Sequence, residues 1–221
     1  MKTEKRIQEA AIRVIFRQGY NKTTMQDIAN EAGLARSTIY TKWKTKEALF
    51  GELIWSESIA YVDTWLELVK RDPDGGTLQG LYRNALLAIR QFPFIRAIYA
   101  QNKFVLGNFI NDPTVAQVTS SMLVSNTQWL KSLQTNGLIR ADLDAEILSW
   151  IEVIFRQGLF TFPINLDTHP TMDYERLLEY FASMFEQFAG VQADVDPDAG
   201  KIALKNYINI FKREYQQNLN D

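Results

Sequence analysis

Apolar side chains recur at helical spacing along most of the chain, and glycine- and proline-containing stretches cut the pattern into segments. Ile7, Ala11, Val14 and Ile15 fall at i, i+4, i+7 and i+8, which predicts a helix over about residues 4–18 that stops at Gly19. Thr24 and Asp27 have the spacing of a capping box, so a second helix starts near Met25. Ile28, Ala29 and Ala32 share one face of it, and Gly33 supplies a left-handed exit with no Cβ penalty. Leu34 plugs the corner. From about Ala35 the helical spacing resumes, with Ile39 and Trp43 turned inward. Beyond that, Thr45 can cap a helix over about 46–69, and further helices are expected at about 77–91, 94–109, 113–135, 144–162, 174–189 and 201–217. The connections are residues 72–76, Asn136 and Gly137, 163–170 and 190–200, and no alternating run marks a strand. The expected fold class is all-α. Residues 1–48 are expected to form a three-helix helix-turn-helix domain, and residues 49–221 a larger helical domain.

The chemistry that stands out lies in residues 23–49. Two short helices joined by a glycine turn place Arg36, Ser37, Thr38 and Tyr40 near the start of the second, as a reader of the DNA major groove does. Lys46 opens the following helix, where the helix dipole disfavours a cation, and a phosphate bound from outside would resolve the conflict. Residues 1–50 carry ten Lys and Arg against five Asp and Glu, a net +5, so the total of −2 leaves −7 on the rest. A basic footprint on an acidic body fits a protein that touches nucleic acid at one end only.

This stretch resembles the DNA-binding domain of the TetR family of bacterial transcriptional repressors. The matching residues are Ala10, Ala11, Phe16, Gly19, Tyr20, Thr23, Thr24, Ile28, Ala29, Ala32, Gly33, Tyr40, Trp43, Lys46, Glu47 and Leu49. Two positions depart from the pattern: Ala35 stands where a serine cap is frequent, and Lys42 where a histidine is common before the aromatic Trp43. The first weakens the cap of the reading helix and the second adds a charge that seeks phosphate. The expected partner is an operator in double-stranded DNA. Arg36, Ser37 and Thr38 then approach base edges, Arg36 being suited to guanine, while Thr24, Tyr40, Lys42 and Lys46 hold phosphates.

The resemblance also implies a homodimer and a small-molecule inducer that binds in the helical body. The two most apolar segments, 144–162 and 174–189, carry more apolar surface than one buried face needs. Ile147, Ile151, Ile154, Phe155, Phe181, Met184, Phe185 and Phe188 are the expected dimer contacts, as halves of a four-helix bundle across a two-fold axis; a monomer core is the alternative. Trp65, Tyr82, Tyr99, Phe104, Trp129 and Phe160 are candidates to line the effector pocket, although aromatics at helical spacing are also what a plain core contains.

Enzymatic readings fail on inventory. His169 is the one histidine and the chain has no cysteine, so neither a His-rich metal cluster, a thiolate site nor a Ser-His-Asp arrangement can be built. Gly75, Gly76 and Gly80 lack the Lys-Ser or Lys-Thr of a phosphate loop. Asp194, Asp196 and Asp198 begin like a calcium loop, but Gly200 falls one place late and Lys205 stands where glutamate belongs. The carboxylates Asp142, Asp144 and Glu152 read as caps and surface. No catalytic residue, metal or cofactor is expected. No run reaches the roughly 20 apolar residues of a membrane span and the start has no secretory apolar region, so a cytoplasmic location is expected. The competing functional class is a helical protein-interaction module without operator binding.

Overall fold

The structure is a computed structural model and describes residues 2–161, 173–191 and 196–218. His169, with its loop, and Asp194 lie outside the described residues. The chain folds as α1 (Lys2–Gln18), a 3-10 turn (Tyr20–Lys22), α2 (Met25–Ala32), α3 (Arg36–Tyr40), α4 (Lys46–Arg71), α5 (Leu78–Ile89), α6 (Pro93–Tyr99), α7 (Lys103–Leu106), a second 3-10 turn (Gly107–Asn111), α8 (Pro113–Thr135), α9 (Ala145–Thr161), α10 (Tyr174–Ala189) and α11 (Pro197–Asn218). Among the described residues there is no strand, only an isolated antiparallel bridge between Ile139 and Gly190. The fold is all-α.

Two elements differ from the periodicity. The single helix expected over 94–109 is broken into α6, α7 and a 3-10 turn, because Gln101 takes a left-handed φ of 48° and the Asn102 side chain accepts a hydrogen bond from Val105 N at 3.1 Å, starting a new helix. α11 begins four residues before the expected Lys201, with Pro197 in its first position. Gly200 is therefore inside a helix and not a breaker. It sits against the Gly76 carbonyl, where a Cβ would not fit.

Packing divides the chain into two compact units, Met1–Ser58 with Phe94–Ser120, and Ile59–Pro93 with Ser121–Asp221, the first cut falling inside α4. The expected cut at residue 48 separates reading head from body by role, whereas packing groups residues 94–120 with the head. The first unit is built around Ile7, Ala11, Val14 and Ile15 of α1, Ile28 and Ala29 of α2, Ile39 of α3, and Leu49, Phe50 and Leu53 of α4, all buried. An aromatic cluster closes it: the Tyr20 ring stacks on Phe109 with centroids 4.8 Å apart and meets Phe50 edge-on at 5.3 Å. In the second unit α5 and α10 pack closely, with Leu86, Leu178 and Phe181 buried between them and Tyr82, Leu87, Phe155 and Leu159 against that cluster. Polar bonds fix the register of the same pair: Glu186 accepts from Gln79 N at 2.5 Å, and Glu179 accepts from Gln79 Nε2 at 2.8 Å.

Gly19 ends α1 at φ 77°, and a Cβ there would lie 2.6 Å from the Phe104 carbonyl oxygen. Gly137 also has positive φ, 70°, but open space around it. Gly19→Ala is expected to cost about 3 kcal/mol and Gly137→Ala about 1 kcal/mol in denaturant unfolding, since only the first combines backbone strain with a clash. Equal losses would mean that the close approach to Phe104 is irrelevant.

Candidate functional site

The turn that presents α3 is built from local rules. Thr24 caps α2, with its Oγ1 accepting from Asp27 N at 3.1 Å while Asp27 Oδ2 accepts from Thr24 N at 2.9 Å, a complete capping box. The Thr24 hydroxyl, donating to Asp27 Oδ2 at 2.7 Å, and then the Thr24 N–H hold the Asp27 carboxyl below its ordinary pKa. Gly33 takes the left-handed conformation, φ 61° and ψ 43°, and its N–H bonds back to the end of α2. Arg6 of α1 clamps the same corner, donating to the carbonyls of Ala32 at 2.6 Å and Gly33 at 2.8 Å. Ala35 precedes α3 and gives it no side-chain cap, as expected.

Ile39 is fully buried beneath α3, and Trp43 is buried just beyond it with Nε1 donating to Glu52 Oε2 at 2.8 Å. The opposite side holds Arg36 and Ser37 exposed and Thr38 half-buried. The guanidinium carbon of Arg36 stands 5.1 Å from the Tyr40 ring centroid, and its Nη2 donates to the Tyr40 hydroxyl at 2.9 Å. Lys44, which sequence reading passed over, donates to the Tyr40 carbonyl at 2.8 Å on the same side. Its signal was available: it is one of three lysines alternating through residues 42–46.

Two lysines expected to meet phosphate are engaged within the chain. Lys42 bridges Glu52 at 2.7 Å and Glu4 at 3.2 Å, over the Trp43 ring. Lys46 does not wait for an outside anion at the start of α4. Its Nζ donates to the carbonyls of Tyr20 at 2.8 Å and Thr23 at 2.9 Å and lies 3.9 Å from the Tyr20 ring centroid. Burial lowers its pKa, with Glu47 opposing. The unfavourable helix dipole is thus offset by two carbonyls and a ring face, and Lys46 ties the turn before α2 to α4.

In the helical body, Ile147, Ile151 and Ile154 of α9 are exposed, together with Trp150, which sequence reading did not include. Tyr180, Met184 and Phe188 of α10 are exposed at four-residue steps. Other expected dimer contacts point into the chain. Phe181 and Phe185 are buried, and Phe155 stacks on Phe181 with ring centroids 3.5 Å apart. On α10 the apolar residues therefore divide between an inner and an outer face.

The aromatic candidates for a pocket do not form one cluster. Trp65 and Trp129 are buried, their rings edge-on at 5.7 Å, with Tyr207 5.2 Å from Trp129, and Trp65 Nε1 donates to the Leu81 carbonyl at 2.9 Å. A small cavity of about 60 Å³ opens beside Trp129 and Tyr207, far below the volume that a drug-sized ligand requires. Tyr99 and Phe104 belong to the first unit, and Phe104 is exposed. Phe160 is half-buried at the end of α9, and Tyr82 lies against Phe185 at 4.3 Å. Tyr82 donates its hydroxyl to Glu152, whose other oxygen accepts from Asn126 Nδ2 at 2.8 Å.

Glu152 is the main correction among the carboxylates. Asp144 does cap α9, accepting from Glu146 N at 2.8 Å, and Asp142 pairs with Arg140 at 2.6 Å, but Glu152 is 5% exposed and not a surface residue. Burial pushes its carboxyl up to about 8, with Arg156 opposing. Its neighbours one turn earlier, Leu148 and Ser149, are buried with it, while the apolar Ile147, Ile151 and Ile154 are exposed, so apolar periodicity does not mark the inner side of α9. Among the described residues no group of acidic and histidine side chains could hold a metal ion, and no helix is long and apolar enough to cross a membrane.

A helix-turn-helix with a basic outer edge, followed by a long helical region without a strand among the described residues, defines a class of DNA-binding regulators. Residues 7–53 match the family model for bacterial regulatory proteins of the tetR family. The chain is 26% identical over 197 residues to an uncharacterized HTH-type transcriptional regulator, YvkB, of Bacillus subtilis, covering 87% of this chain and 98% of that protein. It is 24% identical over 160 residues to a probable acrEF/envCD operon repressor of Escherichia coli, covering 67% and 70%. Among solved structures, a putative TetR-family regulator from Mesorhizobium loti matches at a TM-score of 0.58 and 21% identity over 86% of this chain and 98% of that one. The fatty acid degradation regulator FadR from Bacillus halodurans shares the fold at a TM-score of 0.63 and 17% identity, over 83% and 93%. Residues 7–53 thus carry the tetR-family match, and over most of its length the chain is similar to bacterial transcriptional regulators of that family.

Two outcomes test these assignments. Lys46→Met is expected to lower stability without DNA by about 2 kcal/mol, through two lost charge-assisted bonds; an unchanged unfolding midpoint would return Lys46 to the surface. For Glu152, the folded carboxyl stays neutral while the unfolded one ionises, so stability falls as pH rises from about 4.5 to about 8. Glu152→Gln is expected to flatten that slope in melting curves taken across this window, and an unchanged slope would contradict the burial of the acid.

Proposed function

We propose that the protein is a ligand-responsive repressor that binds a palindromic operator as a homodimer and is released by a small molecule. The observation that carries the reading is the outer side of α3: Arg36 and Ser37 are exposed and Thr38 half-exposed, on a five-residue helix whose other side is pinned by buried Ile39 and Trp43. Arg36, Ser37 and Thr38 approach base edges, and Thr24, Tyr40 and Lys44 contact phosphates. Lys42 joins them by exchanging its carboxylate partners for phosphate, and Lys46 acts by holding the turn in place.

The dimer rests on the apolar stripe of Ile147, Trp150, Ile151 and Ile154 with Tyr180, Met184 and Phe188. Such a stripe is more than a monomer leaves in water without a partner. A copy related by a two-fold axis covers it and supplies the second half-site reader that a palindrome needs. The effector is proposed to enter the body near Tyr82, Trp65, Trp129 and Phe160, with Glu152 and Asn126 as buried polar groups, and to change the spacing of the two heads. A competing module without operator binding would be favoured by a reading helix that fails to form; α3 forms although Ala35 gives it no side-chain cap.

Selection of duplexes from a random pool tests the proposal. The expected product is a palindrome whose half-sites lie about one helical turn apart, bound with a steep salt dependence. Ile151→Glu with Ile154→Glu should give a monomer with roughly 100-fold weaker operator affinity, since the second head no longer binds at high effective concentration. Recovery of no preferred sequence, or full affinity in the monomeric variant, would overturn the reading.

A further inference from the structure

We propose that Tyr40 is a positioning residue for Arg36, holding its guanidinium ready for one base pair in each half-site; this deepens, and rests on, the reading of α3 as the base reader. Arg36 is the first residue of α3, where the dipole offers a cation nothing, and Ala35 gives no cap. Among the described residues no carboxylate pairs with it. The other cations around it are held differently: Lys42 by Glu4 and Glu52, Arg13 and Arg17 by Glu31, and Arg6 by backbone carbonyls. Arg36 is held instead by a neutral side chain one turn further along its own helix, through ring and hydroxyl together, as Arg176 is held more loosely by Tyr180 on α10.

That arrangement matters for recognition. A free arginine at the surface has rotamer entropy worth about 2 kcal/mol, which must be lost before a bidentate bond to guanine can form. Contact with the Tyr40 ring and a hydrogen bond from Nη2 restrict the side chain beforehand, while most of the five N–H donors stay available for a base edge. The Tyr40 hydroxyl accepts from Arg36, so its own proton remains free for a phosphate oxygen. The Tyr40 carbonyl accepts from Lys44 Nζ at 2.8 Å, which places a second cation beside this pair.

The test uses the full-length protein and the duplex recovered by selection, together with every single-base variant of one half-site. Arg36→Ala identifies the base pair that Arg36 reads. Tyr40→Phe is expected to lower discrimination at that same base pair by about three-fold, the value of one modest hydrogen bond, and to leave the preferences at other positions unchanged. Tyr40→Leu, which removes the ring as well, should lower it further, with Tyr40→Phe unfolding as wild type does. A uniform loss of affinity in Tyr40→Phe with the base preference intact would assign Tyr40 to phosphate alone and overturn the proposal. If Arg36→Ala changes no preference at any position, the base-reading role of Arg36 is wrong and the proposal falls with it.

Discussion

A helix of five residues has no stability of its own, because nucleation costs more than so few hydrogen bonds return. α3 exists only because its inner side is fixed from several directions. Ile39 is buried with α1 and α2, Trp43 is bonded to Glu52 of α4, and the Gly33 corner is clamped by Arg6 of α1. Once that side is fixed, the backbone decides which side chains face outward. Under the proposed function the helix is formed before any nucleic acid arrives, which keeps the entropic cost of recognition low. Lys46 belongs to the same scheme, its ammonium joining the carbonyls that precede α2 to the first turn of α4.

The helical body solves the opposite problem. It contains polar groups where a core would be simplest without them. Tyr82 and Asn126 each donate to the buried Glu152, and a buried acid kept neutral by its setting stabilises little that a hydrocarbon could not. Groups of this kind gather where a ligand or a switch is accommodated. α10 meanwhile has two apolar sides: Phe181 and Phe185 are buried within the chain, and Tyr180, Met184 and Phe188 are left exposed.

Much of the head was legible because its rules are local. Thr24 and Asp27 announce a capping box, Gly33 a left-handed turn, and Ala35 a missing cap, and each appears as read. The bounds of residues 113–135 and 174–189 were equally plain from breakers at their ends. What could not be read depended on distant partners. The bonds of Lys46 to the Tyr20 and Thr23 carbonyls have no signal in the sequence around residue 46. Gly200 looks like a breaker until Gly76 is found against it, and Glu152 looks like surface until Tyr82 and Asn126 close over it. On α10 a period of 3.6 marks apolar positions on both sides of the helix, but not which of them are buried within the chain.

Amide hydrogen exchange on the protein alone and on its complex with selected duplex tests the central claim most directly. The account predicts that α3 exchanges slowly even without DNA, as a prefolded element does, and that further protection on binding concentrates in residues 24–46. Rapid exchange through α3 in the free protein, or protection on binding that spares this stretch, would contradict it.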